Sequence, residues 1–93
     1  MNKNISIIGS GFSALSAACY LAQNGNHVTI FEKNNTVGGR ARQLVRDGFT
    51  FDIGPSWYWM PDVFEKFFAD FNKKPSDYYD LVKLTPAYQV FLV

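Results

Sequence analysis

Ile5, Ile7 and Ile8 form a short β-branched run that stops at Gly9, the pattern of a buried parallel strand. From Phe12 to Asn24 the period changes. Ala14, Leu15, Ala18, Leu21 and Ala22 fall three and four apart, which predicts a helix with one apolar stripe. Gly25 offers that helix a left-handed stop. His27-Val28-Thr29-Ile30-Phe31-Glu32 returns to strand. Strand, helix and strand within about 30 residues make one βαβ unit, whose crossover is expected to be right-handed.

Asn34 to Gly39 reads as a loop. Gln43 to Arg46 and Phe49 to Ile53 flank Asp47-Gly48, a strong two-residue hairpin signal, and Phe49, Phe51 and Ile53 alternate with Thr50 and Asp52. Gly54-Pro55-Ser56 breaks the second strand. Pro61 then opens a helix, with Asp62 and Glu65 near its positive end. Val63, Phe64, Phe67, Phe68 and Phe71 supply its apolar face, and Lys73-Lys74-Pro75-Ser76 ends it. A short turn is expected through Asp80, and a strand where Val82 and Leu84 alternate with Lys83 and Thr85.

The chain has 93 residues, 47% hydrophobic and 18% charged, so it is globular and at most one small domain. Nine phenylalanines, five tyrosines and two tryptophans make it aromatic-rich, and so short a chain buries little of that surface. It starts at Met1 and stops within the apolar run from Tyr88 to Val93 with no cap or turn; the expectation is an incomplete chain, the N-terminal part of a larger protein. A net charge of +1 gives no case for nucleic acid, because Asp47 and Asp52 dilute Arg40, Arg42 and Arg46. The single cysteine, Cys19, excludes an internal disulfide and suits a reducing cytosol; among the helix alanines it reads as a small core residue rather than a nucleophile. Lys3 and the apolar stretch from Ile5 to Ala22 have the outline of a signal peptide, but Gly9, Ser10, Gly11 and Ser13 interrupt it, which disfavours secretion and a membrane span.

Those glycines have a more specific use. Gly9-Ser10-Gly11-Phe12-Ser13-Ala14 is a GxGxxA dinucleotide fingerprint that follows a strand and opens a helix. Gly9 permits the tight turn, Gly11 lets the backbone approach a pyrophosphate, and Ala14 lets the helix close on the strand. The free amides and dipole of the helix start would hold the phosphates. Glu32 ends the second strand about 20 residues on, where a carboxylate accepts hydrogen bonds from ribose hydroxyls and repels a 2′-phosphate, against NADP. Gly38-Gly39-Arg40 follows. Alone it reads as a flexible loop with a solvated arginine; beside the fingerprint it is a second phosphate-side element, with Arg40 as a cationic fork, and moves the reading to FAD.

At this point the chain resembles the N-terminus of bacterial-type phytoene desaturases, members of the FAD-dependent amine oxidase and carotenoid desaturase group. The resemblance spans nearly the whole chain, through IIGSGFSALSAA, FEKNNTVGGRA, GFTFDIGPSWYWMPDVFEKFF and DYYDLVKLTPAYQVF. It implies an α/β fold, a Rossmann-like FAD-binding βαβ unit followed by a hairpin and helix, within a larger two-domain flavoprotein. Residues 1–40 would be the βαβ unit with its GGR loop, and 41–93 the hairpin, helix and start of the substrate-domain region.

It further implies that Gly9, Gly11, Ala14, Glu32, Gly38, Gly39 and Arg40 contact the ADP half of FAD, with Phe12, Ser13 and Lys33 as further cofactor positions. Gly54, Pro55 and Ser56 would lie near the isoalloxazine end. The reaction implied is desaturation of a carotenoid precursor such as phytoene by hydride transfer to flavin. The substrate would be a lipid-like polyene, and the whole protein cytoplasmic and peripheral to the membrane. No catalytic residue and no metal site is nominated. His27 is expected to face solvent, and Asp52 to fix a turn. Trp57, Tyr58, Trp59 and Met60 either line a tunnel for the polyene or pack against further protein, with packing favoured. An amine oxidase or protoporphyrinogen oxidase relative shares the fingerprint and GGR element but differs at Gly54-Pro55-Ser56 and Met60-Pro61. A non-catalytic nucleotide-binding fragment is the remaining reading.

Overall fold

The computed structural model describes residues 2–55 and 57–92. The chain divides into two compact units, Met1–Tyr58 and Trp59–Val93.

In the first unit, strand β1 (Asn4–Ile8) runs into helix α1 (Phe12–Gln23) and back into strand β2 (His27–Phe31). The two strands pair in parallel, with Ile5 beside Val28 and Ile8 beside Phe31. Helix α1 lies against both strands. It ends at Gly25, whose φ of 88° is the left-handed geometry expected there, and the Asn26 amide closes the turn on the Leu21 carbonyl at 3.2 Å. The pattern along β1 and β2 correctly located both strands, but their burial is one-sided. Ile5, Ile7, Val28 and Ile30 are half-buried on one face, while Ile8 is 89% exposed. His27 is exposed, as expected. Cys19 is exposed as well, which corrects its reading as a core residue.

Strands β3 (Arg42–Arg46) and β4 (Phe49–Ile53) form the expected antiparallel hairpin. Asp47 (φ 52°) and Gly48 (φ 80°) both take left-handed conformations, the turn that matches the twist of two strands. Directly opposite pairs share a face, so Leu44 and Phe51 stand between Arg42–Ile53 and Arg46–Phe49, with the Phe49 and Phe51 rings 6.4 Å apart.

The second unit contains helix α2 (Pro61–Ala69), opened by Pro61 as expected, and a 3-10 turn over Pro75–Asp77. Regular helix stops earlier than the apolar pattern indicates. Phe71 and Asn72 bond back three residues, and the Lys73 amide reaches the Phe68 carbonyl at 2.8 Å around a left-handed Asn72 (φ 57°). Phe71 still packs on Phe67, with ring centroids 5.1 Å apart, and Phe68 stacks on Tyr78 at 5.3 Å. No strand forms over 82–85 among the described residues. Alternation alone does not make a strand without a ladder partner.

Asn26 joins the two ends of the βαβ unit. Its side-chain amide donates to the Leu21 carbonyl at 2.9 Å, and its side-chain oxygen accepts from the Lys3 amide at 3.1 Å. Asn26→Ala is expected to lower stability by about 1–2 kcal/mol, the scale of two lost hydrogen bonds, read as a lower urea midpoint of the chain.

Candidate functional site

Parallel pairing brings the C-terminal ends of β1 and β2 side by side. The Gly9 amide donates to the Phe31 carbonyl at 2.7 Å, and beyond that rung the chain turns through Gly9, at φ 101°, into α1. A Cβ added at Gly9 or at Gly11 would meet no atom within 4 Å. The fingerprint backbone therefore borders open space. Phe12 and Ser13 are exposed at the start of α1, while Ala14 is half-buried.

Glu32 follows β2 directly. Its Oε1 accepts from the Ser10 amide at 3.0 Å and from the Ser10 hydroxyl at 2.6 Å, and its Oε2 accepts from the Asn34 amide at 2.8 Å. The Ser10 hydroxyl is the main reason that the carboxyl is held below its ordinary value. The Asn34 amide, the Ser10 amide and the Arg42 charge add to it against a smaller opposing effect of burial. Glu32 is thus ionised at neutral pH, the state in which it accepts hydrogen bonds. Lys33, next in the chain, is exposed.

The Gly38-Gly39-Arg40 loop is pressed onto this turn. The Gly38 amide donates to the Ser10 carbonyl at 2.8 Å, and a Cβ on Gly39 would come within 3.0 Å of the Gly11 Cα. Gly54, at φ 95°, lies so close to the Arg40 carbonyl that a Cβ would collide with it. Arg40 itself is exposed, and no ion pair engages it among the described residues. Backbone contact and the Glu32 carboxylate therefore draw together Gly9, Gly11, Glu32, Gly38, Gly39, Arg40 and Gly54 from four separated stretches of chain. Pro55 is exposed next to Gly54, and Ser56 lies outside the described residues. Trp57, Trp59 and Met60 are exposed.

The sequence reading passed over Ser10, which occupies a position that the fingerprint leaves open. It is 1% exposed, and the only other buried residue among those described is its partner Gly38. A hydroxyl between two glycines, with an acid at the end of the next strand, was the available signal.

A parallel βαβ unit with a glycine turn facing a strand-end carboxylate defines a dinucleotide-binding protein of the Rossmann type. The chain belongs to the NAD(P)-binding Rossmann-like domain family, whose profile matches residues 7–73. Among curated proteins it is 57% identical over 89 residues to the carotenoid 3,4-desaturase of Haloarcula japonica, covering 96% of this chain and 18% of that protein. It is 49% identical over 87 residues to the 4,4′-diapophytoene desaturase (4,4′-diaponeurosporene-forming) of Staphylococcus aureus, covering 94% of this chain and 17% of that protein. The expected resemblance to carotenoid desaturases is borne out, and the chain spans less than a fifth of the length of these relatives. No helix among the described residues is long and apolar enough to cross a membrane.

The two kinds of glycine separate in a mutational test. Gly54→Ala should cost about 1–3 kcal/mol, because a Cβ collides with backbone at a positive φ. Gly11→Ala, which meets no protein atom, should leave stability within about 0.5 kcal/mol of wild type. Urea denaturation of the two variants checks the contrast.

Proposed function

We propose that this chain supplies the adenosine-side half of an FAD site in an oxidoreductase that desaturates a carotenoid precursor. The observation that carries the reading is the ionised Glu32 carboxylate held at the end of β2 beside the open glycine turn, with the Gly38-Gly39-Arg40 loop seated on that turn. An ionised acid there suits the ribose hydroxyls of FAD or NAD and repels the 2′-phosphate of NADP. The added loop favours FAD, because it brings a second stretch of backbone amides and the Arg40 guanidinium toward the pyrophosphate side. The names of the relatives, both carotenoid desaturases, support the substrate class.

In this reading Gly9, Gly11, Phe12, Ser13 and Ala14 present the helix start to the pyrophosphate, and Glu32, with Lys33 beside it, holds the adenosine ribose. Gly38, Gly39 and Arg40 neutralise and cover the phosphates, and Gly54, Pro55 and Ser56 lead toward the flavin ring. Flavin, when bound, supplies the hydride acceptor. The chain's own residues bind and orient the cofactor, and none of them is assigned a proton in the reaction. The substrate, a long polyene dissolved in lipid, calls for peripheral contact of the whole protein with a membrane.

The whole protein carrying this chain is expected to purify with flavin absorbance or to take up added FAD, and to convert phytoene or a shorter polyene to a more conjugated product. A colourless protein whose titration with FAD changes no spectrum would sink the reading. Glu32→Ala should weaken FAD binding about ten- to a hundredfold, the equivalent of a lost hydrogen bond to a charged group. Gly11→Ala should also weaken it, despite its neutral effect on stability. The 93-residue chain by itself should bind FAD weakly or not at all.

A further inference from the structure

We propose that Ser10 is a positioning residue for the cofactor: its buried hydroxyl and its own amide together clamp one oxygen of Glu32, so that the ribose carboxylate is set before any ligand arrives. The inference rests on the reading of Glu32 as the ribose acceptor. The fingerprint leaves this position open, and alanine would fill it without a polar atom to bury. A buried hydroxyl with no partner would be destabilising. Here it is compensated by a 2.6 Å bond to Glu32 Oε1, a length typical of a hydroxyl donating to a charged acceptor.

The clamp has two jaws on one atom, since the Ser10 amide reaches the same oxygen at 3.0 Å. The Asn34 amide holds Oε2, so both oxygens are fixed and the side chain has no free rotation. Ser10 in turn cannot shift, because its carbonyl accepts from the Gly38 amide at 2.8 Å. An ionised carboxylate has about four acceptor sites, and these three donors leave room for a ribose hydroxyl. Of the charged groups, Arg42 on β3 bears on the carboxylate, and Lys33 adjoins it in the chain.

Losing the hydroxyl has two distinct effects. Glu32 gains rotamers that FAD must then freeze out, and the ionised form loses its strongest support. The sign of the second effect is set by the direction of the shift. Glu32 sits below its unfolded value in the folded chain, so its contribution is present above the unfolded value and is lost as pH falls through the folded one. Without the hydroxyl, the folded value rises toward the unfolded one, so that contribution shrinks and its loss is complete at higher pH.

Glu32 and Glu65 are the only glutamates in the chain, so 13C-labelled glutamate gives two carboxyl resonances, and Glu32→Gln identifies which is which. Glu32 in the folded wild-type chain is expected to titrate below the same residue in denaturing urea, and Ser10→Ala should move it back toward the urea value. FAD affinity of the whole protein should fall about three- to tenfold at neutral pH in Ser10→Ala, the ordering cost of one side chain. Its acid limb should also shift to higher pH, whereas Glu32→Gln removes that limb. An unmoved Glu32 resonance in a folded Ser10→Ala chain overturns the proposal. So does wild-type Glu32 titrating as it does in urea, a measurement that needs no variant to fold. Failure of the ribose reading looks different: Glu32→Gln would then bind FAD as wild type does, while the ligand-free titration still decides Ser10.

Discussion

The contact on which this structure turns joins the loop after β1 to the chain after β2. Ser10 donates twice to Glu32 and accepts from Gly38, and those two bridges tie three segments at the chain's only two buried residues among those described. The parallel ladder makes the meeting possible. Its last rung, from the Gly9 amide to the Phe31 carbonyl, places the residue after each strand next to the other. A shift of register by one residue would turn every strand side chain over and carry Glu32 away from Ser10.

Around that contact the glycines do two different jobs. Gly9 and Gly11 face open space, so their missing side chains leave room for something outside the chain. Gly39 and Gly54 face backbone, and their missing side chains let the chain close on itself. The first kind leaves the turn open, and the second lets separate stretches of backbone meet. The fingerprint marks the first kind in the sequence, whereas nothing local marks the second.

The rest of the chain is loosely covered by comparison. No hydrophobic side chain among the described residues is buried, and Ile8, Phe31, Phe49 and Phe51 all present more than half their surface. The order of the site therefore rests on backbone geometry and hydrogen bonds more than on a core of its own, an unusual balance for a globular unit. The relatives extend more than five times as far.

Local chemistry was enough to read most of the elements. The β-branched run of β1, the three-four spacing of α1, Asp47-Gly48 and Pro61 each specify a conformation that neighbouring residues alone can set. The fingerprint and the acid at the end of β2 were legible for the same reason, as was the resemblance to carotenoid desaturases. Elsewhere the sequence pattern was insufficient. Asn72 takes the left-handed position that closes α2, which its identity permits but does not require. Val82 and Leu84 alternate without a partner, and Cys19 is exposed. The roles of Ser10, Asn26 and Gly54 depend on atoms 14 to 28 positions away in the chain. Composition and spacing determined that a dinucleotide-type turn exists and that an acid ends the strand beside it. Only the tertiary structure decided what holds that acid in place, because a hydrogen bond between distant residues leaves no period in the sequence.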